Sequence, residues 1–558
     1  MLVGHMRTIP PDDLLDRWDS VRPIDLDQHA GRVGISGAPG GVLTTLRSYD
    51  NVHEAVATVY HPADVAELAA LLRKASLDPR PHRITFRGGG QSLDTHALNT
   101  DVVIHLDAPE LAKVGEPAHD TRGHHVTVGA AATWEEIVRK TAAHGLLPWS
   151  VVTNRHATIG GTVACDCLSR CSPVSGKEGE HVRSFKLLTV AGEMIVCDRH
   201  DKDPHHRELF HAVIGGMGYL GVLVEITLDL RPPVPGWASH TPIRVVTHVD
   251  KQLVGPAGTR WSTVLPELRE TASKVRIDGR GHGLFDGLFH PGEDASEDMD
   301  LVQWDAVSSS AWYALGQTEV FLFKSRYVVG VDIDPLAFYE KSTPVLRDIP
   351  KGLSSSFATE IAEGGMFLVF KARTYVNGLL DFMFFMDNQL GPVRAAAEEE
   401  GWRLNAIQQT FVIPLATPTR EDPSGTGPAE ALLDRIRSGE EPAILDPLRP
   451  CFLDVMVLPP DDFLLSASRG LTGFAITVTW TGKNGETWPQ IKERLHALSR
   501  FCRELGGRVH LVKNVQADRE DLRAMYGDAF DRFLALKHRY DPKGLLRNEF
   551  FDRVIGPA

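Results

Sequence analysis

The chain has 558 residues, 42% of them hydrophobic and 24% charged, with a formal net charge of -14 and a pI of about 5.9. That length exceeds what one hydrophobic core usually serves, so at least two domains are expected, and the composition excludes a disordered or fibrous chain. The acidic balance gives no general attraction to nucleic acid or anionic membranes, which favours a small-molecule partner.

Residues 1–49 read as an N-terminal extension that lacks the apolar core of a signal peptide, and no apolar run approaches the ~20 residues that cross a bilayer, so a cytoplasmic location is expected. Ala55 to Tyr60 is strand-like, Pro62 opens a helical pattern with Val65, Leu68, Leu71 and Leu72 on one face, and Arg83 to Phe86 is again strand-like. His125 to Val128 makes a short strand, and Thr133-Trp134-Glu135-Glu136 has the T-x-x-E form of a capping box opening a helix toward His144. The following stretch is rich in small residues until Phe185 starts an alternating hairpin around Ala191-Gly192. Gly215-Gly216-x-Gly218-x-x-Gly221 then leads into an apolar strand ending at Pro232, and 50–232 is taken as one α/β domain.

Over 233–506 the strand-like runs lengthen, as in Val320 to Phe323, Phe367 to Lys371 and Gly473 to Trp480. This predicts a second domain with a large mixed or antiparallel β-sheet covered by helices, and an α+β fold class. Pro291 to Asp300 and Thr417 to Pro428 read as surface insertions. The last segment, 507–558, holds a short strand in GGRVHLVKN and a helical pattern over Asp521 to His538, stopped by Asp541-Pro542. Six cysteines are too few for a disulfide scaffold. Cys165, Cys167 and Cys171 lack the distant second pair of a zinc motif, so they are read as small buried thiols and no metal is expected.

Gly88-Gly89-Gly90, directly after a strand, would let backbone N–H groups converge on an anion with no Cβ in the way. The loop fits neither G-x-G-x-x-G nor G-K-[ST], and by itself reads first as a tight turn. Gly160-Gly161 and the cluster at 215–221 add two more such loops beside apolar strands, which raises an extended dinucleotide as the ligand.

The order RGGG-x-S, ATIGGTVA, IGGMGYLGVL and YDPKGLLRNEFF resembles the PCMH-type, two-subdomain FAD-binding domain of the vanillyl-alcohol oxidase and aldonolactone oxidase superfamily, over about 50–232 and 507–555. Within it the likeness is strongest to decaprenylphosphoryl-ribose 2'-oxidase-like members, through Gly160 to Val182 and the Q-x-x-F-V-x-P run Gln408 to Pro414. The resemblance implies that Phe86, Arg87, Gly88, Gly89, Gly90, Gln91, Ser92, Leu93, Asp94, Thr95 and His96 wrap the FAD pyrophosphate. It implies that Thr153, Thr158, Ile159, Gly160 and Gly161 continue the cradle, that Gly218, Gly221 and Val222 contact the flavin side, and that Leu168, Ser169, Arg170 and Cys171 line the isoalloxazine or its edge. Gln91 stands where covalent members carry the flavin-bonding histidine, and Asn154-Arg155-His156 where a second attachment through cysteine would fall, so noncovalent FAD is expected. Gln91 also reads as a loop amide that satisfies backbone groups.

GGRVHLVKN resembles the superfamily's G-G-R-x-Y-x-x-K-D segment, placing Lys513 on a lysine that faces flavin and substrate and His510 where the relatives have tyrosine. Oxidising a carbinol needs hydride transfer to flavin N5 and removal of the hydroxyl proton; a desolvated lysine could accept that proton, or its charge could stabilise the alkoxide. On spacing alone Lys513 reads as a solvent-facing strand residue, and His510 is either an alternative base or a packed residue. Gln408, Phe411 and Thr477 are candidate substrate-pocket residues. Leu168, Arg170, Thr477 and Leu93 depart from the histidine, lysine, cysteine and tyrosine of the relatives, which argues against a ribose-lipid substrate. The expected protein is an FAD-dependent oxidoreductase of a sugar, glycoside or nucleoside-type secondary alcohol, with O2 or another acceptor taking the electrons. A redox-neutral epimerase or cyclase, and a flavin-retaining binding protein without chemistry, are the alternatives.

Overall fold

Asp64 accepts a hydrogen bond from Glu67 N at 2.7 Å and caps the helix Val65–Leu77, which buries Leu68, Leu71 and Leu72. Pro62 stands ahead of that cap, outside the helix. In the computed structural model, residues 34–233, 401–437 and 452–557 are described continuously, together with 243–253, 261–271, 274–277, 302–305, 308–314, 319–329, 374–384, 387, 394–395 and 397–400.

The strands Glu54–Tyr60 and Ile84–Arg87 that flank this helix are not neighbours. Val102–His105 inserts between them, parallel to both, and Val42–Arg47 pairs antiparallel with Glu54–Tyr60 to complete a four-stranded sheet. A second sheet is antiparallel throughout and places Val222–Arg231 between Gly123–Gly129 and Val182–Leu188. The Thr133 capping box forms, with Glu136 Oε2 accepting from Thr133 N at 2.8 Å, and the hairpin of Val182–Leu188 with Met194–Asp198 turns through Gly192 at φ +75°. The small-residue stretch contains a helix, Ile159–Cys165, that periodicity does not reveal. Two glycines disfavour helix locally, and tertiary packing overrides that preference because Gly160 lies flat against Ala130, where a Cβ would stand 2.7 Å from the Ala130 Cβ.

Among the described residues the large sheet has eight strands, in the order Thr374–Gly378, Ile243–Leu253, Glu319–Val329, Ser308–Ala314, Phe452–Leu458, Gly473–Lys483, Leu404–Pro414 and Arg508–Val509, with every described pairing antiparallel. Gly473–Lys483 and Leu404–Pro414 are buried on both faces; the first reads as a run of apolar residues and threonine up to Gly482, while the second also buries Asn405 and Gln409. Thr417 to Pro428 is a loop organised by the Asp422 carboxylate, which accepts from Gly425 N and Gly427 N at 2.8 Å each, with the helix Gly427–Arg437 starting inside it. Pro291 to Asp300 and Phe367 to Lys371 lie outside the described residues. The helical pattern over Asp521 to His538 resolves into two helices, Arg519–Tyr526 and Ala529–Tyr540, parted at Gly527 with φ +58°. Beyond them the chain returns to the first sheet, where Ile84 N donates to Leu545 O at 2.7 Å. Among the described residues no helix is long and apolar enough to cross a membrane.

Candidate active site

A cavity of about 330 Å³, in the size range of cofactor clefts, opens where the loops of the first two sheets meet the large sheet. Its first wall is the loop after Ile84–Arg87. A Cβ on Gly88 would collide with Thr158 Oγ1 and one on Gly89 with His156 O, while Gly90 holds φ +68°, so the loop is packed too closely on residues 156–158 to carry side chains there. Phe86, Gly88, Gly89, Gly90, Gln91, Ser92, Leu93 and His96 line the cavity. Gln91 Nε2 donates to Gly89 O at 2.8 Å and its Oε1 accepts from Asn154 Nδ2 at 2.6 Å, so the amide ties the loop to the opposite wall.

Arg87, Asp94 and Thr95 are not among the lining residues; they brace the loop from behind. The Arg87 guanidinium donates to Arg47 O at 3.1 Å and Ala97 O at 3.4 Å. Asp94, fully buried at φ +53°, accepts from Thr95 N at 2.8 Å, Val515 N at 3.2 Å and Arg553 Nη2 at 2.7 Å. Asn548, in the late R-N-E-F-F motif, donates to Thr95 O at 3.1 Å and His96 O at 2.9 Å and accepts from Tyr219 OH at 2.8 Å. The C-terminal segment therefore holds the glycine loop in place.

Thr153, Thr158, Gly160 and Gly161 line the second wall, and Ile159 turns into the core. Gly218 and Gly221, at φ +76° and +150°, join Val222 on the third. Leu168, Ser169 and Arg170 also line the cavity, and the Arg170 guanidinium lies 4.5 Å from the centre of the Phe382 ring. Cys171 is buried outside the cavity lining, as a small packed thiol. Cys165 and Cys167 differ from that expectation: both are half-buried and line the cavity. A hydrogen bond with Cys165, together with burial, pushes the Cys167 pKa well above the ordinary range, so this thiol stays protonated.

Lys513 lies in a bend beyond Arg508–Val509, not on a solvent-facing strand, and its Nζ donates to Gln408 Oε1 at 3.0 Å inside the cavity. Burial lowers its pKa, opposed by the charge of Asp454. Gln408 is oriented in turn by donating to Thr479 Oγ1 at 3.2 Å. Thr477 lines the cavity, with its hydroxyl 2.8 Å from Thr410 Oγ1. Phe411 does not reach the cavity and is a core residue at 0% exposure. His510 is buried away from the lining, its pKa driven well below the usual value by burial and by Lys177, Lys513 and His96, which makes it the packed residue of the two readings. Asn154, at the position read for a second flavin attachment, lines the cavity too, and the sequence reading missed Tyr49, Asp387 and Asp454, which also line it. Only Asp454 left a signal, as the one charge within the apolar strand Phe452–Leu458.

Three glycine-built walls that a Cβ would fill, continuous with a polar pocket under the large sheet, fit an extended dinucleotide cofactor beside a reaction chamber. Comparison with known proteins makes the class specific. The profile of the FAD binding domain family matches residues 56–198, and that of D-arabinono-1,4-lactone oxidase matches 447–554. The chain is 25% identical to decaprenylphosphoryl-beta-D-ribose oxidase of Mycolicibacterium smegmatis over 510 residues, covering 89% of this chain and 95% of that protein. It is 32% identical to cytokinin dehydrogenase 2 of Oryza sativa subsp. japonica over 183 residues, 32% of each chain, and 23% identical to cytokinin dehydrogenase 5 of Arabidopsis thaliana over 98% of this chain and 92% of that one. The match thus spans about a third of the rice enzyme's length. Residues 56–198 thus match an FAD-binding domain of the PCMH type, and the cofactor is FAD.

Proposed function

We propose that the protein oxidises a secondary alcohol of a sugar, glycoside or nucleoside-type molecule to a ketone, with noncovalent FAD. The observation that carries this reading is the half-buried Lys513, whose Nζ is held on Gln408 Oε1 in the same cavity as the glycine walls. Bound FAD supplies the hydride acceptor. Lys513 in its neutral form takes up the hydroxyl proton, and in its charged form stabilises the alkoxide; burial, by lowering its pKa, makes the neutral form accessible. Gln408, Thr477 and Asp454 offer hydrogen-bonding groups that suit neighbouring hydroxyls of a polyol ring. The glycine loops, with Thr153, Thr158 and Val222, are the FAD contacts in this reading, with Leu168 to Arg170 at the flavin edge. The relative named as an oxidase of a ribose derivative supports the sugar class, while Leu168, Arg170, Thr477 and Leu93 point to a different sugar compound. We take 50–232 as the FAD-binding domain, 233–506 as the substrate domain and 507–558 as the returning segment.

The test is a visible spectrum of the purified protein before and after acid precipitation, then anaerobic addition of glycosides, nucleosides and cytokinins. Yellow released to the supernatant, and bleaching of the oxidised-flavin band by one alcohol, is the expected result. Yellow held in the pellet would overturn noncovalent attachment, and bleaching by a cytokinin alone would overturn oxidation at CH–OH. Turnover of an alcohol with no acceptor consumed would replace the oxidase reading with a redox-neutral one.

A further inference from the structure

The C-terminal ends of three adjacent parallel strands bring a second set of groups together, outside the cavity. The parallel register sets Tyr60 beside Ile104 and Arg87 beside His105, so His61, His105 and Gly88 converge one residue further on. Asp107, two residues after His105, closes the group. His61 Nδ1 lies 2.7 Å and His105 Nδ1 3.0 Å from the same Asp107 Oδ2, and the other ring nitrogen of His105 is 3.1 Å from Gly88 O.

That arrangement sets a proton problem. A backbone carbonyl only accepts, so His105 Nε2 must carry the hydrogen in its bond to Gly88 O. In the neutral ring Nδ1 then presents a lone pair to a carboxylate oxygen, which repels it. Either a second proton or a shared cation must sit between them. Two imidazole nitrogens and one carboxylate oxygen, within 4.8 Å of one another, form a ligand set suited to a borderline divalent ion. The Nε2–H to backbone carbonyl bond is the outer partner that such a ligating imidazole ordinarily has. His61 and Asp107 side chains are 53% and 43% exposed, which leaves the remaining coordination positions to water.

We propose that His61, His105 and Asp107 form a binding site for a divalent transition metal of the Zn2+ class, which clamps the strand ends to the glycine loop through the His105 bond to Gly88. The clamp rests on the FAD reading of that loop; the metal site does not. Another pair, His119 and His124 on the second sheet, has ring centroids 4.6 Å apart and belongs to no such three-ligand group among the described residues, and serves as the internal control.

The test uses untagged, chelator-treated holoprotein, titrated with Zn2+ against a chromophoric competitor and with Co2+ by absorption at wavelengths beyond the flavin band. Saturable binding of one metal per chain is expected, weakened at least about tenfold in His61→Ala and in Asp107→Asn and unchanged in His119→Ala. Both variants change exposed side chains, and retained yellow colour verifies that they fold. No saturable binding, or binding that survives His61→Ala and vanishes in His119→Ala, would overturn the site. Zn2+ is also expected to slow FAD loss on dilution in the parent protein and not in Asp107→Asn; an equal rate in both would overturn the clamp.

Discussion

Lys513 and Gln408 are held against each other by a third residue, Asn514. Asn514 N donates to Gln408 O at 2.8 Å, Gln408 N donates to Asn514 Oδ1 at 2.9 Å, and the two side chains ahead of them meet at 3.0 Å between Lys513 Nζ and Gln408 Oε1. Backbone pairing on both sides leaves the lysine little freedom but its own rotamers. Replacing Lys513 with alanine is therefore expected to leave FAD bound and to slow anaerobic flavin reduction by the substrate about a hundredfold or more. Stopped-flow absorbance at the oxidised-flavin band measures this, and an unchanged rate would remove the lysine from the mechanism.

Asn548→Ala should release the glycine loop from behind. It deletes two buried donors to Thr95 O and His96 O and the acceptor of Tyr219 OH, and leaving such groups unpaired costs about 1–3 kcal/mol each before relaxation. The expected result is a lowered Tm and faster FAD release, read by flavin fluorescence. A variant with parental FAD retention would show that the loop holds its shape without this tie.

The two glycines at 160 and 161 separate stability from cofactor binding. Ala at 160 would force its Cβ to 2.7 Å from Ala130 Cβ and 2.8 Å from Ala130 O, an overpacking that costs about 1–3 kcal/mol. At 161 the nearest atom to an added Cβ is Thr158 Oγ1 at 3.3 Å, and the helix gains from alanine, yet the position lines the cavity. Gly160→Ala should lower the urea midpoint, while Gly161→Ala should hold it and weaken FAD retention.

Asp387 gives a pH-dependent prediction. Burial raises its carboxyl to about 6, opposed by the hydrogen bond from Arg155 N and the charges of Arg155 and Arg394. Since the folded value exceeds the unfolded one of about 4, the folded state holds the proton more tightly. The stabilisation is complete below pH 4 and is lost as pH rises through 6, a change of at most about 3 kcal/mol. Asp387→Asn keeps an acceptor for Arg155 N and has no proton to lose. Its stability relative to the parent should rise between pH 4.5 and 7.5 in urea titrations, and a constant difference would refute the shift.

Much of the cofactor site could be read from residue order because glycine loops, the Thr133 capping box and the Ala191-Gly192 hairpin are short-range devices, whose geometry is settled within a few residues. The order of four such motifs along the chain carried the superfamily, the α+β class and FAD, and all three agree with the comparisons. Long-range contact decided the rest. Val102–His105 enters between two strands that are consecutive in the chain, and Ile159–Cys165 is helical against its own composition because Gly160 must pack on Ala130. Strand alternation could not tell that Phe411 faces the core and Gln408 the cavity, since both faces of that strand are buried. Asp387, Asp454 and Tyr49 reach the site from segments with no motif of their own, and His510 is sealed while Lys513, three residues on, is not. A side chain's direction and desolvation depend on which distant segments close over it, and local sequence carries no record of that.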